Sequence, residues 1–232
     1  MKKFIFSLLL RLSGFILGIT GIVSQIVSGS EFMGADMLIY FTIQTNIFTT
    51  VIFGGLFFKS IYLSIKKKTP VIAKLTPSYH LGFTYYITIT FAVFWTMVSG
   101  MDIGTDTNVL MLVGNYLLHL VVPLLAILDC LLFMEHGKVK KNVAFKWLGY
   151  PLIYLFSVII RAQLGGPLYT LNGIEMMYPY PFLEPAVVGV GGMIGIIIAM
   201  TIGFYLFGRL YIYIDDKIAQ RLSKIKLKHT EN

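Results

Sequence analysis

The chain has 232 residues, of which 56% are hydrophobic and only 13% are charged, and its mean hydropathy is +0.78. A soluble domain carries about twice that charged fraction, so the composition excludes an ordinary soluble protein. The net charge of +8 is spread over the segments between the apolar stretches, a distribution that sets membrane orientation and argues against a nucleic-acid partner. The chain has one cysteine, which excludes a disulfide framework.

The apolar stretches predict an all-α, multi-pass membrane protein with one domain over residues 1–232. Several stretches reach the ~20 residues that cross a ~30 Å hydrocarbon core. We predict six membrane-spanning helices, at roughly 5–28, 37–64, 80–100, 109–134, 143–160 and 186–212.

The basic residues predict the orientation of these helices. Lys and Arg are concentrated at the N-terminus, around Lys66–Lys74 and Lys138–Lys146, and in the tail. The opposite segments (29–36, 101–108 and 161–185) contain a single basic residue, Arg161. Because basic loops stay inside, we expect both termini in the cytoplasm.

The first apolar stretch has two interpretations. Residues 1–10 resemble the start of a secretory signal, but Arg11 interrupts the apolar region. Gly14, Gly18 and Gly21 then follow at a spacing typical of packed membrane helices. We favour a retained first helix.

The second span contains a polar stripe. Thr42, Thr45, Asn46 and Thr49 share one helical face. Such a face meets protein or water, since lipid offers no hydrogen bonds. The stripe either joins helices, as Thr and Asn often do in membranes, or lines a site.

The fourth span contains two ionisable residues, His119 and Asp129, which are costly at membrane depth and therefore indicate a site. Asn115 precedes His119 by four residues on the same face and is placed to orient the imidazole. Pro123 has no N–H, which leaves the His119 carbonyl without a helical partner. Asp129 lies about 15 Å deeper and is expected to make a separate structural contact. The alternative is a structural histidine in the core, whose ring nitrogens form hydrogen bonds with Thr side chains or backbone groups.

The fifth span carries a polar face formed by Tyr150, Tyr154, Ser157 and Arg161. A guanidinium suits an anion or carboxylate clamp. Alternatively, Arg161 is a helix-end arginine paired with Glu175 or Glu184.

The segment from 161 to 185 is long for a membrane-protein connection, and such loops are often lids or linkers. Its Met, Tyr and Phe residues are too apolar for a disordered linker, and Tyr-Pro-Tyr-Pro excludes helix. We expect this segment to fold back over the outer, non-cytoplasmic end of the helix bundle as a lid. An interfacial aromatic belt is the alternative.

The four histidines (His80, His119, His136 and His229) are scattered, so neither a metal site nor a cofactor is predicted. The enzymatic arrangement that remains is a threonine hydroxyl with a histidine base. Helix depth favours Thr45 or Thr49 as the partner of His119.

Four blocks together resemble a known family: Tyr-Phe-Thr-(x)3-Asn at 40–46, His119 with a proline one turn on and an acid at 129, Trp-(x)2-Tyr-Pro-(x)2-Tyr at 147–154, and Tyr-Pro-Phe-Leu-Glu at 180–184. The series is similar to the bacterial six-helix "Pr-six-Pr" membrane proteins. More distantly, it resembles the eukaryotic androgen-induced and androgen-dependent transmembrane proteins, which are threonine hydrolases of fatty-acid esters of hydroxy fatty acids. The resemblance covers about three-quarters of the chain and implies a multi-pass protein of the bacterial plasma membrane.

The resemblance implies Thr42 as nucleophile and His119 as base, so Thr42 is the first candidate and Thr45 the second. We expect an intramembrane hydrolase of lipid esters, with Asn46 or Asn115 stabilising the oxyanion, Arg161 holding a substrate carboxylate and Tyr154 lining the site. The partners expected are membrane lipid and a fatty-acid ester. The rival hypothesis is a non-enzymatic transporter or lipid-binding module that uses the same polar interior.

Overall fold

The computed structural model describes residues 1–98 and 109–230, without the side chains of 29–35, 226 and 228–230. Its helices are α1 (Lys2–Met33), α2 (Phe41–Lys67), α3 (Pro77–Val93), α4 (Val109–Tyr116), α5 (Val122–Phe133), α6 (Val143–Trp147), α7 (Gly149–Leu164) and α8 (Pro185–Thr230). A 3-10 helix (Gly34–Ile39) precedes α2, and π-helical stretches follow α3 (Phe94–Val98) and join α4 to α5 (Leu117–Val121).

Six helical stretches are long and apolar enough to cross a membrane, which confirms the predicted class. They are Lys2–Ser28, Phe41–Lys67, Pro77–Val98, Val109–Phe133, Val143–Leu164 and Pro185–Ile225. The fourth combines α4, the π-helical stretch and α5, and the fifth combines α6 and α7.

The small residues of α1 bring it close to its neighbours. An added Cβ at Gly14 would overlap the Phe53 ring of α2. An added Cβ at Gly21 would overlap Leu118, one residue before His119. Glycine is therefore required where α1 supports the helices that carry the polar residues.

Asp129 forms a buried ion pair with Arg11, near the end of the bundle where the chain begins. Arg11 Nε donates to Asp129 Oδ1 over 2.8 Å, and both side chains are almost fully buried. His80 Nε2 lies 3.0 Å from the other carboxylate oxygen. The contact joins α1, α3 and α5, so Asp129 makes a structural contact separate from His119.

The last helix is longer than the predicted span 186–212. It has 46 residues, with one non-helical position at Gly189 (φ 73°), and continues to Thr230. Asp215 of α8 is buried, lies 2.7 Å from His136 Nδ1 and accepts a hydrogen bond from the Gly137 N–H over 2.9 Å. These contacts hold α8 against the connection that follows α5.

Residues 165–184, called the cap segment here, contain a hairpin that the all-α prediction did not include. Its strands are β1 (Tyr169–Leu171) and β2 (Ile174–Met176), which pair antiparallel. Asn172 and Gly173 between them both have positive φ, 52° and 79°. Asn-Gly is the preferred sequence for a two-residue turn of this type, and it is the signal that predicts the hairpin.

A buried carboxylate organises the second half of the cap segment. Glu184 accepts hydrogen bonds from the N–H groups of Met177 and Tyr178 over 2.7 and 3.2 Å. A short 3-10 helix, Pro181–Leu183, lies between these partners. The Tyr-Pro-Tyr-Pro sequence is thereby fixed next to the first turn of α8.

Candidate functional site

Thr42 and His119 are in direct contact. Thr42 lies in the first turn of α2, and His119 lies in the π-helical stretch between α4 and α5. The distance from Thr42 Oγ1 to His119 Nε2 is 3.2 Å, and the imidazole is buried. The two residues are 77 positions apart in the chain, so the fold brings them together.

The second ring nitrogen of His119 determines the chemistry of this contact. His119 Nδ1 lies 3.0 Å from the backbone carbonyl of Asn115. A carbonyl only accepts hydrogen bonds, so Nδ1 carries the proton and Nε2 presents a lone pair. Thr42 therefore donates to Nε2, which is the arrangement of a hydroxyl nucleophile with a general base.

Two aromatic residues of the π-helical stretch after α3 hold His119 in place. The Phe94 ring stacks on the imidazole at 3.7 Å between centroids and an angle of 17°. Trp95 Nε1 donates to the His119 carbonyl over 2.9 Å. This carbonyl is available to Trp95 because Pro123, four residues on, has no N–H to donate to it.

The π-helical geometry frees a second carbonyl, that of Leu118. The Val122 N–H donates to Leu117 rather than to Leu118, as a π turn requires. Asn46 Nδ2 donates to the Leu118 carbonyl over 3.1 Å and to the Thr42 carbonyl over 2.9 Å. Asn46 thus fixes the backbone of α2 at Thr42 to the backbone of the π-helical stretch that carries His119.

A mainly apolar cavity opens at Thr42 and His119. The cavity has a volume of about 170 Å³. Of the residues proposed from sequence, Thr42, His119, Asn115 and Tyr154 line it. Its apolar walls come from α3 (Ile89, Val93), α7 (Leu152, Leu155) and α8 (Ile197, Met200, Phe204).

The cap segment closes one side of this cavity. Tyr169 and the stretch 179–183 line it together with Thr42. Burial raises the pKa of Tyr180. That rise is partly offset by groups that approach the Tyr180 hydroxyl oxygen, namely the Thr42 hydroxyl and the N–H groups of Thr42 and Phe41. Tyr180 thus brings the cap segment next to Thr42.

Thr45 is not brought to His119. Its hydroxyl lies 2.8 Å from Thr90 Oγ1 and also donates to the Phe41 carbonyl over 2.9 Å, and it is absent from the cavity wall. Helix depth counted at 1.5 Å per residue predicts Thr45 or Thr49 as the partner of His119. That prediction is wrong, because Thr42, in the first turn of α2, is the threonine that contacts His119.

Arg161 and Asn46 lie outside the cavity wall. Arg161 Nη2 donates to Asp36 over 2.7 Å, and Nη1 donates to the Gly166 carbonyl over 2.6 Å. Its partner is thus neither Glu175 nor Glu184. The ion pair ties the end of α7 to the 3-10 helix before α2, and the hydrogen bond to Gly166 ties it to the cap segment.

Asn115 orients His119 through its backbone, while its side chain has another partner. Gln25 Nε2 donates to Asn115 Oδ1 over 2.9 Å. Gln25 also donates to the Met111 carbonyl, over 3.1 Å. The amide of Asn115 therefore joins α4 to α1, beside the cavity.

Phe94, Trp95 and Tyr180 are contacts of the site that the sequence does not mark as site residues, although Tyr180 belongs to the Tyr-Pro-Phe-Leu-Glu block. A tryptophan inside an apolar span needs an acceptor for its N–H, and Trp95 carried that signal. Phe94 and Tyr180 follow no periodic pattern, and only the fold places them next to the dyad.

Comparison of the chain with protein-family models, with curated protein sequences and with solved structures finds no match. The function is therefore inferred from the contact between Thr42 and His119 and from the apolar cavity that both residues line.

Proposed function

We propose that this protein is an intramembrane hydrolase of lipid esters, with Thr42 as nucleophile and His119 as general base. One observation supports the proposal above all others. The Thr42 hydroxyl lies 3.2 Å from His119 Nε2, whose lone pair is available because Nδ1 donates to the Asn115 carbonyl. The resemblance to membrane threonine hydrolases points to the same two residues.

The reaction follows from the protonation state of His119. Thr42 Oγ1 attacks the ester carbonyl carbon as its proton passes to His119 Nε2. The tetrahedral intermediate then expels the alcohol, which takes the proton from Nε2, and leaves an ester of the acyl group with Thr42. His119 next takes a proton from water as the water oxygen attacks the acyl carbon. The bond from that carbon to Thr42 Oγ1 then breaks, and His119 returns the proton to Oγ1, which releases the acid and restores the threonine.

The cavity favours a long apolar acyl chain as substrate. Its walls on α3, α7 and α8 are mainly aliphatic and aromatic. A fatty acyl chain can bury its methylene groups there, at about 0.8 kcal/mol for each.

Asn46 and Arg161 support the site in this proposal and do not contact substrate. Both donors of the Asn46 amide go to backbone carbonyls. Arg161 is neutralised by Asp36 at 2.7 Å and lies outside the cavity wall. We therefore assign no carboxylate on the substrate.

We also propose that both termini face the cytoplasm, so that the cap segment faces outward. The distribution of Lys and Arg supports this orientation, because Arg161 is the only basic residue of the opposite segments. Substrate then enters from the outer leaflet or the outer surface.

Turnover of a fluorogenic long-chain ester by the purified protein in detergent tests the proposal. Thr42→Ala and His119→Ala should each lower kcat by about 10³-fold or more, since each removes half of the dyad. Thr45→Ala is the matched control, because it removes a threonine hydroxyl one turn away that contacts Thr90 rather than His119. Its kcat should stay within about threefold of the wild-type value.

Wild-type turnover in both dyad variants would overturn the proposal. A wild-type protein that binds such esters without cleaving them would instead favour a lipid-binding module.

A further inference from the structure

The first turn of α2 presents N–H groups that have no backbone acceptor within the described part of the chain, beside Thr42. Tyr40, the residue before the helix, provides no side-chain cap. The first backbone hydrogen bond of this turn is from the Gln44 N–H to the Tyr40 carbonyl, over 3.2 Å. Within the described part of the chain, the N–H groups of Phe41 and Thr42 have no backbone acceptor. The N-terminus of a 27-residue helix also carries partial positive charge, which favours an anion.

An independent observation points to a ligand at the same place. The Tyr154 side chain of α7 lines the cavity and is only 8% exposed. Its hydroxyl makes no hydrogen bond of good geometry within residues 1–98 and 109–230, although it lies near the Phe41 N–H and the Tyr180 hydroxyl. A buried hydroxyl without a partner costs about 1–3 kcal/mol, so it calls for an explanation.

The Tyr180 hydroxyl now lies in the position that these donors surround. The Thr42 side chain and the N–H groups of Phe41 and Thr42 approach its oxygen. The Tyr180 ring is held by Phe182, which stacks on it at 5.1 Å, and by the edge-on ring of Tyr40 at 5.7 Å. A neutral oxygen from the cap segment therefore stands where a substrate oxygen would gain most from the helix N-terminus.

We propose that the N–H groups of Phe41 and Thr42 and the Tyr154 hydroxyl form the oxyanion site, and that the Tyr180 hydroxyl fills this site until substrate displaces it. The inference rests on the proposed ester hydrolysis. It assigns Tyr154 as a catalytic residue and gives the cap segment a self-inhibiting contact.

The charge balance of the reaction explains why the site is needed. When the bond from Thr42 Oγ1 to the carbonyl carbon forms, the electron pair of the C=O bond moves to the carbonyl oxygen. That negative charge persists until the pair returns and the alcohol leaves with the proton of His119 Nε2. Donors at about 2.7–3.1 Å from this oxygen stabilise the intermediate, and the Thr42 N–H belongs to the nucleophile itself.

Steady-state kinetics with the fluorogenic long-chain ester separates the two tyrosines. Tyr154→Phe should lower kcat by about 10²- to 10³-fold with KM changed less than about threefold, as the loss of one oxyanion donor does. Tyr180→Phe should lower KM, because substrate no longer has to displace a hydroxyl from the oxyanion site. Tyr86→Phe is the matched control, since its hydroxyl donates to the Trp147 carbonyl over 2.9 Å, outside the cavity wall, and both constants should stay close to wild type.

A long-chain alkyl boronic acid supplies a readout that a purely structural role would not move. Boronate forms a tetrahedral anion with a hydroxyl nucleophile and so mimics the intermediate. Tyr154→Phe should weaken boronate inhibition by about the factor by which kcat falls, while inhibition by the matching fatty alcohol stays unchanged. Tyr154→Met, a second variant without the hydroxyl, should show the same pattern.

Wild-type kcat and boronate affinity in either folded Tyr154 variant would overturn the assignment of Tyr154. A loss in Tyr180→Phe as large as that in Tyr154→Phe would overturn the displacement of Tyr180. If turnover is lost in Thr42→Ala but is unchanged in the Tyr154 variants, only this inference is contradicted. If Thr42→Ala itself turns over at the wild-type rate, the proposed function is contradicted as well.

Discussion

The chemistry of His119 is decided by a backbone carbonyl rather than by a side chain. Many catalytic histidines are oriented by a carboxylate, which also stabilises the imidazolium. Here the partner of Nδ1 is the Asn115 carbonyl at 3.0 Å, so the tautomer is fixed without a buried negative charge. The nearest acid in the same span, Asp129, is occupied by Arg11 and His80.

Asn115→Ala should therefore leave the dyad working. The substitution removes the hydrogen bond from Gln25 but keeps the carbonyl that orients His119. We expect kcat for the fluorogenic ester within about tenfold of wild type, against about 10³-fold or more for His119→Ala. A loss in Asn115→Ala equal to that in His119→Ala would show that the amide acts on the substrate, as the sequence first suggested.

At the scale of elements, two kinds of contact position the site. Backbone carbonyls freed by Pro123 and by the π turn are taken up by Trp95 and Asn46, which fixes α4 and α5 to α3 and α2. At the other end of the bundle, the ion pair of Arg11 and Asp129 joins α1 to α5. The second contact lies away from the cavity wall and so affects stability rather than chemistry.

Asp129→Ala should destabilise the fold by about 3–5 kcal/mol, because it leaves the buried Arg11 without its counter-ion. Glu135→Ala is the matched control, since its pair with Lys74 at 2.9 Å is about half exposed and such pairs contribute about 0–1 kcal/mol. Denaturant unfolding in detergent measures both free energies. Equal stability of the two variants would contradict a structural role for the buried pair.

At the scale of the whole molecule, hydropathy predicts the six helices because a bilayer requires long apolar stretches. It does not locate their ends. The second span is predicted at 37–64, whereas α2 is Phe41–Lys67 and follows a 3-10 helix, so a residue count from the predicted start does not give the depth of Thr42 relative to His119. The sixth span is predicted to end at 212, whereas α8 continues to Thr230 and its Asp215 makes buried contacts with His136 and Gly137.

The contacts between side chains were less predictable from the sequence than the positions of the helices. Arg11 was visible in the sequence as the one charge in the first span, and opposite charges inside membranes tend to pair, so its contact with Asp129 could be predicted. The position of Tyr180 could not be predicted from the sequence. It depends on the hairpin turn at Asn172 and Gly173 and on the carboxylate of Glu184, which together set the path of the cap segment.

The central claim is that Thr42 is a nucleophile activated by His119, and covalent labelling tests it most directly. The purified protein is treated with an alkyl fluorophosphonate, and the modified residue is located by peptide mass spectrometry. We predict an adduct on Thr42 that is absent in Thr42→Ala and forms at least about 10²-fold more slowly in His119→Ala. An adduct on another residue, or labelling of Thr42 at the same rate without His119, would contradict the account.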